Sequence, residues 1–183
     1  MTGSLRDHLL ASLALLYRRW ATARARDGVG AVLRAARATM RRKRYCLLAT
    51  VADGVAHARV LEPLPPDDDF TVWLGTSGAS RKVEQLRRNP AATLAYEDDA
   101  RAACAVLVGR AEIVEDAAER RRRFKPFWRA FWPEGPEGGD FVLVRFRPER
   151  IEVWDARRHV TPAPFGKRSA MVARGPDGAW RAA

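Results

Sequence analysis

The sequence is short of the residues that most often bind metal ions. Its 183 residues include three histidines and two cysteines. These five residues are far apart in the chain, so the close ligand spacing of a metal site is missing and we expect no metal ion. Cys46 and Cys104 each lie in an apolar, strand-like run, which favours two buried thiols over a disulfide.

Long apolar runs are also missing. No segment approaches the roughly 20 apolar residues that cross a bilayer. The run LLASLALLY near the start is flanked by charged residues and lacks a small-residue cleavage site, so we interpret it as a helix and not as a signal peptide. We therefore expect a cytoplasmic protein with no membrane span. With 47% hydrophobic residues, the chain can bury a real core.

Acidic residues are scarce at one end of the chain. The formal net charge is +11, yet residues 1–44 hold 11 basic and only two acidic residues. The remaining chain is almost balanced. An arginine-rich, solvated helix face explains this asymmetry best, and binding to nucleic acid or an anionic membrane is the alternative.

The hydrophobic pattern changes period near residue 44. Before it, helical spacing predicts helices over 4–25 and 31–42. After it, short runs with turn residues between them predict a small antiparallel barrel. The predicted strands cover 45–51, 55–64, 70–76, 91–98, 102–115 and two segments within 140–155, with helices over 81–88 and 117–131. Gly109 indicates a bend or bulge.

The segment TSGASRKVEQLRRNP, residues 76–90, joins a strand to a helix. Thr76, Ser77 and Ser80 offer hydroxyl groups, and Ser80 is a plausible N-cap for the helix. The adjacent Arg81 and Lys82 suit a phosphate dianion. The combination predicts a phosphate site at the helix N-terminus; a capped helix with two solvated cations is the alternative.

The strand HARVLEPL can bring another cation to the same place. Alternation puts His57, Arg59 and Leu61 on one face. If this strand lies beside strand 70–76, Arg59 joins the pair of cations on the helix. For His57 we prefer an ordinary surface strand residue.

The order of these features resembles the pyridoxamine 5'-phosphate oxidase-like FMN-binding split barrels, and within them the general stress protein 26 branch. The resemblance rests on LLATVADGVAHARVLEPL, FTVWLGTSGASRKVEQLRRNPAATLAYED, VGRAEIVED and FWRAFWPEGPEGGDFVLVRFRPERIEVWD. It implies a mainly β fold, a six-stranded antiparallel split β-barrel with flanking helices. It also implies a homodimer with FMN at the dimer interface.

The resemblance also assigns site residues. Arg59, Val60 and Leu61 match the strand that lies along the flavin, with the arginine on the phosphate side. Gly75 and Thr76 match the strand-end pair that touches the cofactor.

Two further matches complete the implied site. Arg81 and Lys82 match the phosphate-binding pair, and Ser77 and Ser80 add hydroxyl groups beside it. Trp154 matches a C-terminal tryptophan near the isoalloxazine ring, contributed across the interface. The deazaflavin F420 is the alternative cofactor, because the same fold also hosts it.

The expected function is therefore an FMN-dependent oxidoreductase that acts on a small molecule. No general acid or base stands out, so the catalytic residues are unassigned and a flavin-binding stress protein with little turnover is an alternative. Nucleic-acid binding through the N-terminus is a third hypothesis. We expect three parts: a helical extension over 1–43, the barrel over 44–155, and a tail over 156–183 with a possible final strand.

Overall fold

The computed structural model describes residues 5–162 and 166–183. The helices in this part of the chain are α1 Leu5–Ala23, α2 Val29–Arg42, α3 Arg81–Arg88 and α4 Ala117–Arg123. The strands are β1 Cys46–Ala52, β2 Val55–Leu61, β3 Val72–Ser77, β4 Ala91–Asp98, β5 Ala103–Val114, β6 Phe141–Asp155, β7 Ala170–Arg174 and β8 Trp180–Ala182. Short 3-10 helices cover Asp99–Arg101, Pro126–Ala130 and Gly135–Glu137.

The strands form one antiparallel sheet that does not close on itself. Its order is β2-β1-β4-β5-β6-β7-β8. Strand β5 lies along one edge of β6, while β3 pairs with the first half of the opposite edge and β7 with the second half. The predicted mainly β, antiparallel architecture with flanking helices is confirmed, and the tail adds two short strands.

Strand β1 shows why the sheet is oriented as it is. Cys46, Leu48 and Thr50 alternate along the strand and are buried, whereas Leu47 and Val51 lie on the other face and are exposed. Because side chains alternate along a strand, the first set faces the core and the second set faces away from it. The β1–β2 sheet therefore has an apolar outer face.

The prediction of two strands within 140–155 was wrong. The segment is a single 15-residue strand, β6. The register between β5 and β6 shifts between Val108 and Gly109 and leaves Glu149 of β6 as the extra residue, so the bulge predicted at Gly109 is confirmed. A Cβ atom at Gly109 would lie 2.1 Å from the Arg147 carbonyl oxygen, so the close approach of β6 requires glycine there.

The predicted helix over 117–131 was also wrong in its length. Asp116 caps α4 as expected, accepting a hydrogen bond from the Glu119 N–H at 2.8 Å, but the helix ends at Arg123. Pro126 follows two residues after Phe124, and proline disfavours helical backbone at the residue before it. A 3-10 helix over Pro126–Ala130 replaces the predicted turns and buries Trp128.

The two N-terminal helices differ in how they pack. Helix α2 adds Val32, Ala36 and Met40 to the main core, whereas α1 leaves most of its large apolar side chains exposed, including Leu16 and Trp20. The division of the chain at residues 43 and 155 stays a prediction. None of the helices in the described ranges combines the length and the apolar character that crossing a membrane requires.

Both cysteines are free thiols, and only Cys46 is fully buried; Cys104 is half-buried. Burial raises the pKa of the Cys46 thiol to about 12. At pH 8 this thiol is almost entirely protonated and therefore unreactive, since the thiolate is the nucleophile. We expect iodoacetamide to leave Cys46 unlabelled in the native protein and to label it after unfolding in guanidinium. Peptide mass mapping measures this, and rapid native labelling of Cys46 would contradict its placement in the core.

Candidate functional site

Arg59 is held in place by a set of buried acceptors. It lies on β2 directly opposite Leu48 on β1. Its guanidinium donates to Thr50 Oγ1 at 2.7 Å, to Gln85 Oε1 at 2.8 Å and to the Leu48 carbonyl oxygen at 3.3 Å. These bonds fix the direction of a planar, permanently charged group.

Thr50 and Gln85 form the brace behind this arginine. Thr50 Oγ1 donates to Gln85 Oε1 at 2.7 Å, and both side chains are buried. Sequence reasoning missed both residues. The sequence does contain a signal for each of them. Thr50 is a polar residue on the inward face of β1, and Gln85 is a polar residue on the apolar face of α3, beside Val83 and Leu86.

Arg81 and Lys82 begin α3, and both lie close enough to Arg59 for their charges to interact with it. The Lys82 ammonium donates to the buried Thr76 Oγ1 at 2.8 Å. Burial, and then the charge of Arg59, lower the pKa of Lys82. Burial, and then the charge of Arg81, lower the pKa of Arg59. The charge of Arg59 thus interacts with those of Arg81 and Lys82. None of the three cations forms an ion pair within the described ranges of the chain.

Ser80 occupies the N-cap position of α3, yet its hydroxyl does not cap the helix. The predicted N-cap position is therefore confirmed, but without a hydrogen bond from the side chain. The Ser80 Oγ atom is buried and has no hydrogen-bond partner among the residues the structure describes. A buried hydroxyl without a partner costs free energy unless a ligand satisfies it. The free hydroxyl and the three cations together fit a phosphate group.

Two further predicted site residues, Ser77 and Gly75 at the end of β3, have structural partners of their own. Ser77 Oγ donates to Asp140 Oδ1 at 2.6 Å and accepts from the Ala79 N–H. The hydrogen bond from Ser77 is the largest of the effects that lower the pKa of Asp140. At Gly75, an added Cβ would lie 2.6 Å from the Trp128 ring, so packing against Trp128 explains this glycine without a ligand.

The remaining predicted site residues are Val60, Leu61 and Trp154. Val60 lies on the exposed outer face of β2, and Leu61 packs against the core opposite Cys46. Trp154 lies on β6 opposite Cys104, with three strands between it and β2. Its indole Nε1 is buried and has no partner within the described part of the chain. One copy of the chain therefore does not bring Trp154 to Arg59.

The arrangement is suited to binding an anion and not to acid–base chemistry. Arginine forks and an ammonium group match phosphate oxygens, and no carboxylate among the described residues neutralises them. The described residues also include no cluster of histidine, cysteine and acidic side chains that could hold a metal ion. The chemistry of such a site must come from the bound group.

The chain matches one known protein family over most of its length. The family model described as "Pyridoxamine 5'-phosphate oxidase like" matches residues 34–174. Among curated proteins, none matches the chain in sequence.

Solved structures with the same fold include general stress proteins. A Clostridium acetobutylicum protein related to general stress protein 26 superposes with a TM-score of 0.61 at 22% identity, covering 68% of this chain and 87% of that one. General stress protein 26 of Bacillus anthracis gives 0.58 at 20% identity, covering 66% and 91%.

A third similar structure is that of an FMN-binding protein. It is a pyridoxamine 5'-phosphate oxidase-related, FMN-binding protein of Nostoc punctiforme, with a TM-score of 0.57 at 19% identity, covering 84% of this chain and 94% of that one. These likenesses show the fold, which is the split barrel predicted from the sequence.

Proposed function

Because the chain belongs to the pyridoxamine 5'-phosphate oxidase like family, we propose that it binds FMN and acts as a flavin-dependent oxidoreductase on a small organic molecule. One observation carries the proposal. Arg59, Arg81 and Lys82 have no carboxylate partner in the described chain, and the buried Ser80 hydroxyl beside them is unsatisfied. Burial and the charge of Arg81 lower the pKa of Arg59, and burial and the charge of Arg59 lower the pKa of Lys82. The phosphate of FMN fits this cluster in charge and in hydrogen-bonding capacity.

The protein's own residues bind and orient the cofactor. Arg59 presents its fork from β2, braced by Thr50 and Gln85, while Lys82 is anchored on Thr76. Arg81 and Lys82 lie at the N-terminal end of α3, and the partial positive charge of that helix end adds to theirs. When bound, FMN supplies the electron or hydride transfer, and the protein supplies orientation and electrostatics.

The outer face of the β1–β2 sheet supports a dimer with the flavin at its interface. Leu47 pairs with Val60 across the two strands, and both are exposed, with 43% and 62% of their surface accessible. Val51 extends this apolar patch. Strand β2 is the edge of the sheet, so a ligand held by its phosphate at Arg59 can pass round that edge onto the outer face. A second copy on this face would bury the patch and enclose the flavin, and its Trp154 is our candidate for the ring contact.

Replacing Val60 with aspartate should separate the subunits. A charge at the centre of an apolar interface is costly to desolvate, while the same side chain is tolerated on an exposed strand of a monomer. We expect monomers by size-exclusion chromatography with light scattering, and the loss of most bound FMN. As a control, Val55→Asp changes another exposed valine of β2 near the turn. A V60D protein that stays dimeric would exclude this face as the interface.

The visible absorption spectrum of the purified protein is the direct test of the proposed function. A flavin spectrum, followed by release of FMN on denaturation and its identification by mass, supports the proposal. Release of F420 instead would identify F420 as the cofactor. A colourless protein that also fails to bind added FMN would overturn it. Reduction of the bound flavin by NADH or NADPH then separates an oxidoreductase from a flavin-binding protein with little turnover.

A further inference from the structure

A second concentration of positive charge lies where α1 and α2 meet the loop after β6. A cavity of about 370 Å³ opens there. Four arginines and one histidine line it, from two distant parts of the chain: Arg26, Arg34, Arg157, Arg158 and His159. We refer to it as the arginine cavity. It shares no residue with the site around Arg59.

The two arginines of the β6 loop are fixed by the protein itself. Arg158 Nη1 donates to Asp155 Oδ2 at 2.9 Å, and the Asp155 carboxylate is fully buried. The same carboxylate accepts from the Arg158 N–H at 2.8 Å. Arg157 Nη2 donates to the Ala100 carbonyl oxygen at 3.2 Å. This side of the cavity is therefore ordered before any ligand arrives.

The other two arginines come from the N-terminal segment, Arg26 from the loop between α1 and α2 and Arg34 from α2. Neither Arg26 nor Arg34 forms an ion pair with any residue in the described ranges. The backbone is nevertheless tied across the cavity, because the Arg26 N–H donates to the His159 carbonyl oxygen at 2.8 Å. The His159 ring is held edge-on against Trp20, with ring centroids 5.3 Å apart. Four arginines thus line one cavity. The buried Asp155 pairs with Arg158, whereas Asp27, next to Arg26 in the chain, forms no ion pair within the described residues.

The start of α2 adds to the positive potential. Helix α2 begins at Val29 after Gly28, which provides no side-chain cap, and its first turn contains no acidic residue. Ala31, in that first turn, lines the cavity. The N-terminal end of a helix carries partial positive charge and free N–H groups. The acidic residue at this helix end is Asp27, which precedes the cap and is exposed, so the first turn itself carries no offsetting charge.

We propose that the arginine cavity binds the phosphate or diphosphate group of a small phosphorylated molecule. Guanidinium forks recognise phosphate oxygens in pairs, and several of them together match more than one negative charge. The convergence of the arginines on a cavity, rather than along a stripe, favours a small ligand over a nucleic-acid backbone. The N-terminal segment then has a role that the FMN site does not require, since its α1–α2 loop and α2 each supply one of the four arginines.

Isothermal titration with inorganic pyrophosphate tests the proposal. The titration uses the full chain carrying Arg81→Ala and Lys82→Ala, so that the other anion site is disabled. We expect one pyrophosphate per chain, and at least tenfold weaker binding when Arg26→Gln and Arg34→Gln are added. Arg18→Gln with Arg19→Gln is the matched control, because it removes the same charge from exposed positions of α1 outside the cavity. That pair should change the affinity less than twofold.

The outcomes separate this site from general electrostatics and from the flavin site. No pyrophosphate binding, or equal weakening by both pairs of substitutions, would overturn the proposal. Tighter binding of a single-stranded 20-nucleotide DNA that both pairs weaken equally would also overturn it, in favour of a diffuse nucleic-acid surface. If the site holds, tighter binding of ADP than of pyrophosphate identifies a nucleotide, and equal binding identifies the phosphate groups alone. FMN binding by the otherwise unmodified protein is measured separately, so either proposal can fail without the other.

Discussion

Replacing Arg81 and Lys82 together with alanine is expected to lower the FMN affinity at least a hundredfold while the protein stays folded. Each charge-assisted hydrogen bond contributes about 1.5–3 kcal/mol, so two of them correspond to about 3 kcal/mol or more, which is about a hundredfold in Kd. The Lys82 pKa is lowered by burial and by Arg59, which means that the folded state gains little from this charge. Fluorescence titration with FMN and thermal unfolding measure the two effects.

The same helix offers a matched control. Arg87 and Arg88 are exposed and pair with Glu115 and with Asp53, away from Arg59. Replacing both with alanine removes the same charge from α3, so a loss of FMN affinity in this variant as well would indicate a general charge effect. Wild-type affinity in the Arg81→Ala, Lys82→Ala protein would refute the phosphate site.

Replacing Gln85 with leucine is expected to weaken both the fold and the flavin site. Leucine removes the acceptor that Thr50 and Arg59 share, and leaves the buried Thr50 hydroxyl and one edge of the guanidinium unsatisfied. Losing a buried acceptor costs about 1–3 kcal/mol of the free energy of unfolding. With Arg59 no longer fixed, we expect the FMN affinity to fall about tenfold, or about 1.4 kcal/mol. Urea unfolding and FMN titration measure the two quantities.

Gln85→Glu separates positioning from stability. Glutamate restores both hydrogen bonds, so stability should recover, but its charge neutralises Arg59 and FMN binding should stay weak. In an Arg59→Ala background, Gln85→Leu should cause no further loss of affinity, because the two residues act through one contact. A Gln85→Leu protein with wild-type stability and affinity would show that Arg59 needs no brace.

The local elements of the fold were predictable because their signals are local. Helix α3 begins after Ser80 and ends before Asn89-Pro90, as the sequence indicates. The turn at Asp53 and Gly54 has positive φ at both residues, which matches the Asp-Gly hairpin signal between β1 and β2. Failures occurred where tertiary packing decides. The continuity of β6 depends on its pairing with β5, and neither strand shows this alone.

The candidate site also has a part that the sequence predicts and a part that depends on tertiary contacts. The sequence by itself determined that a strand, a hydroxyl-rich loop and two cations at a helix start stand together, because these parts are neighbours in the chain. Only the tertiary structure decided which groups are free to bind. It brings Gln85 to Arg59 and Thr50, and it turns the Ser77 hydroxyl to Asp140. These partners are separated by 26 to 63 residues, and local spacing carries no information about contacts at that range.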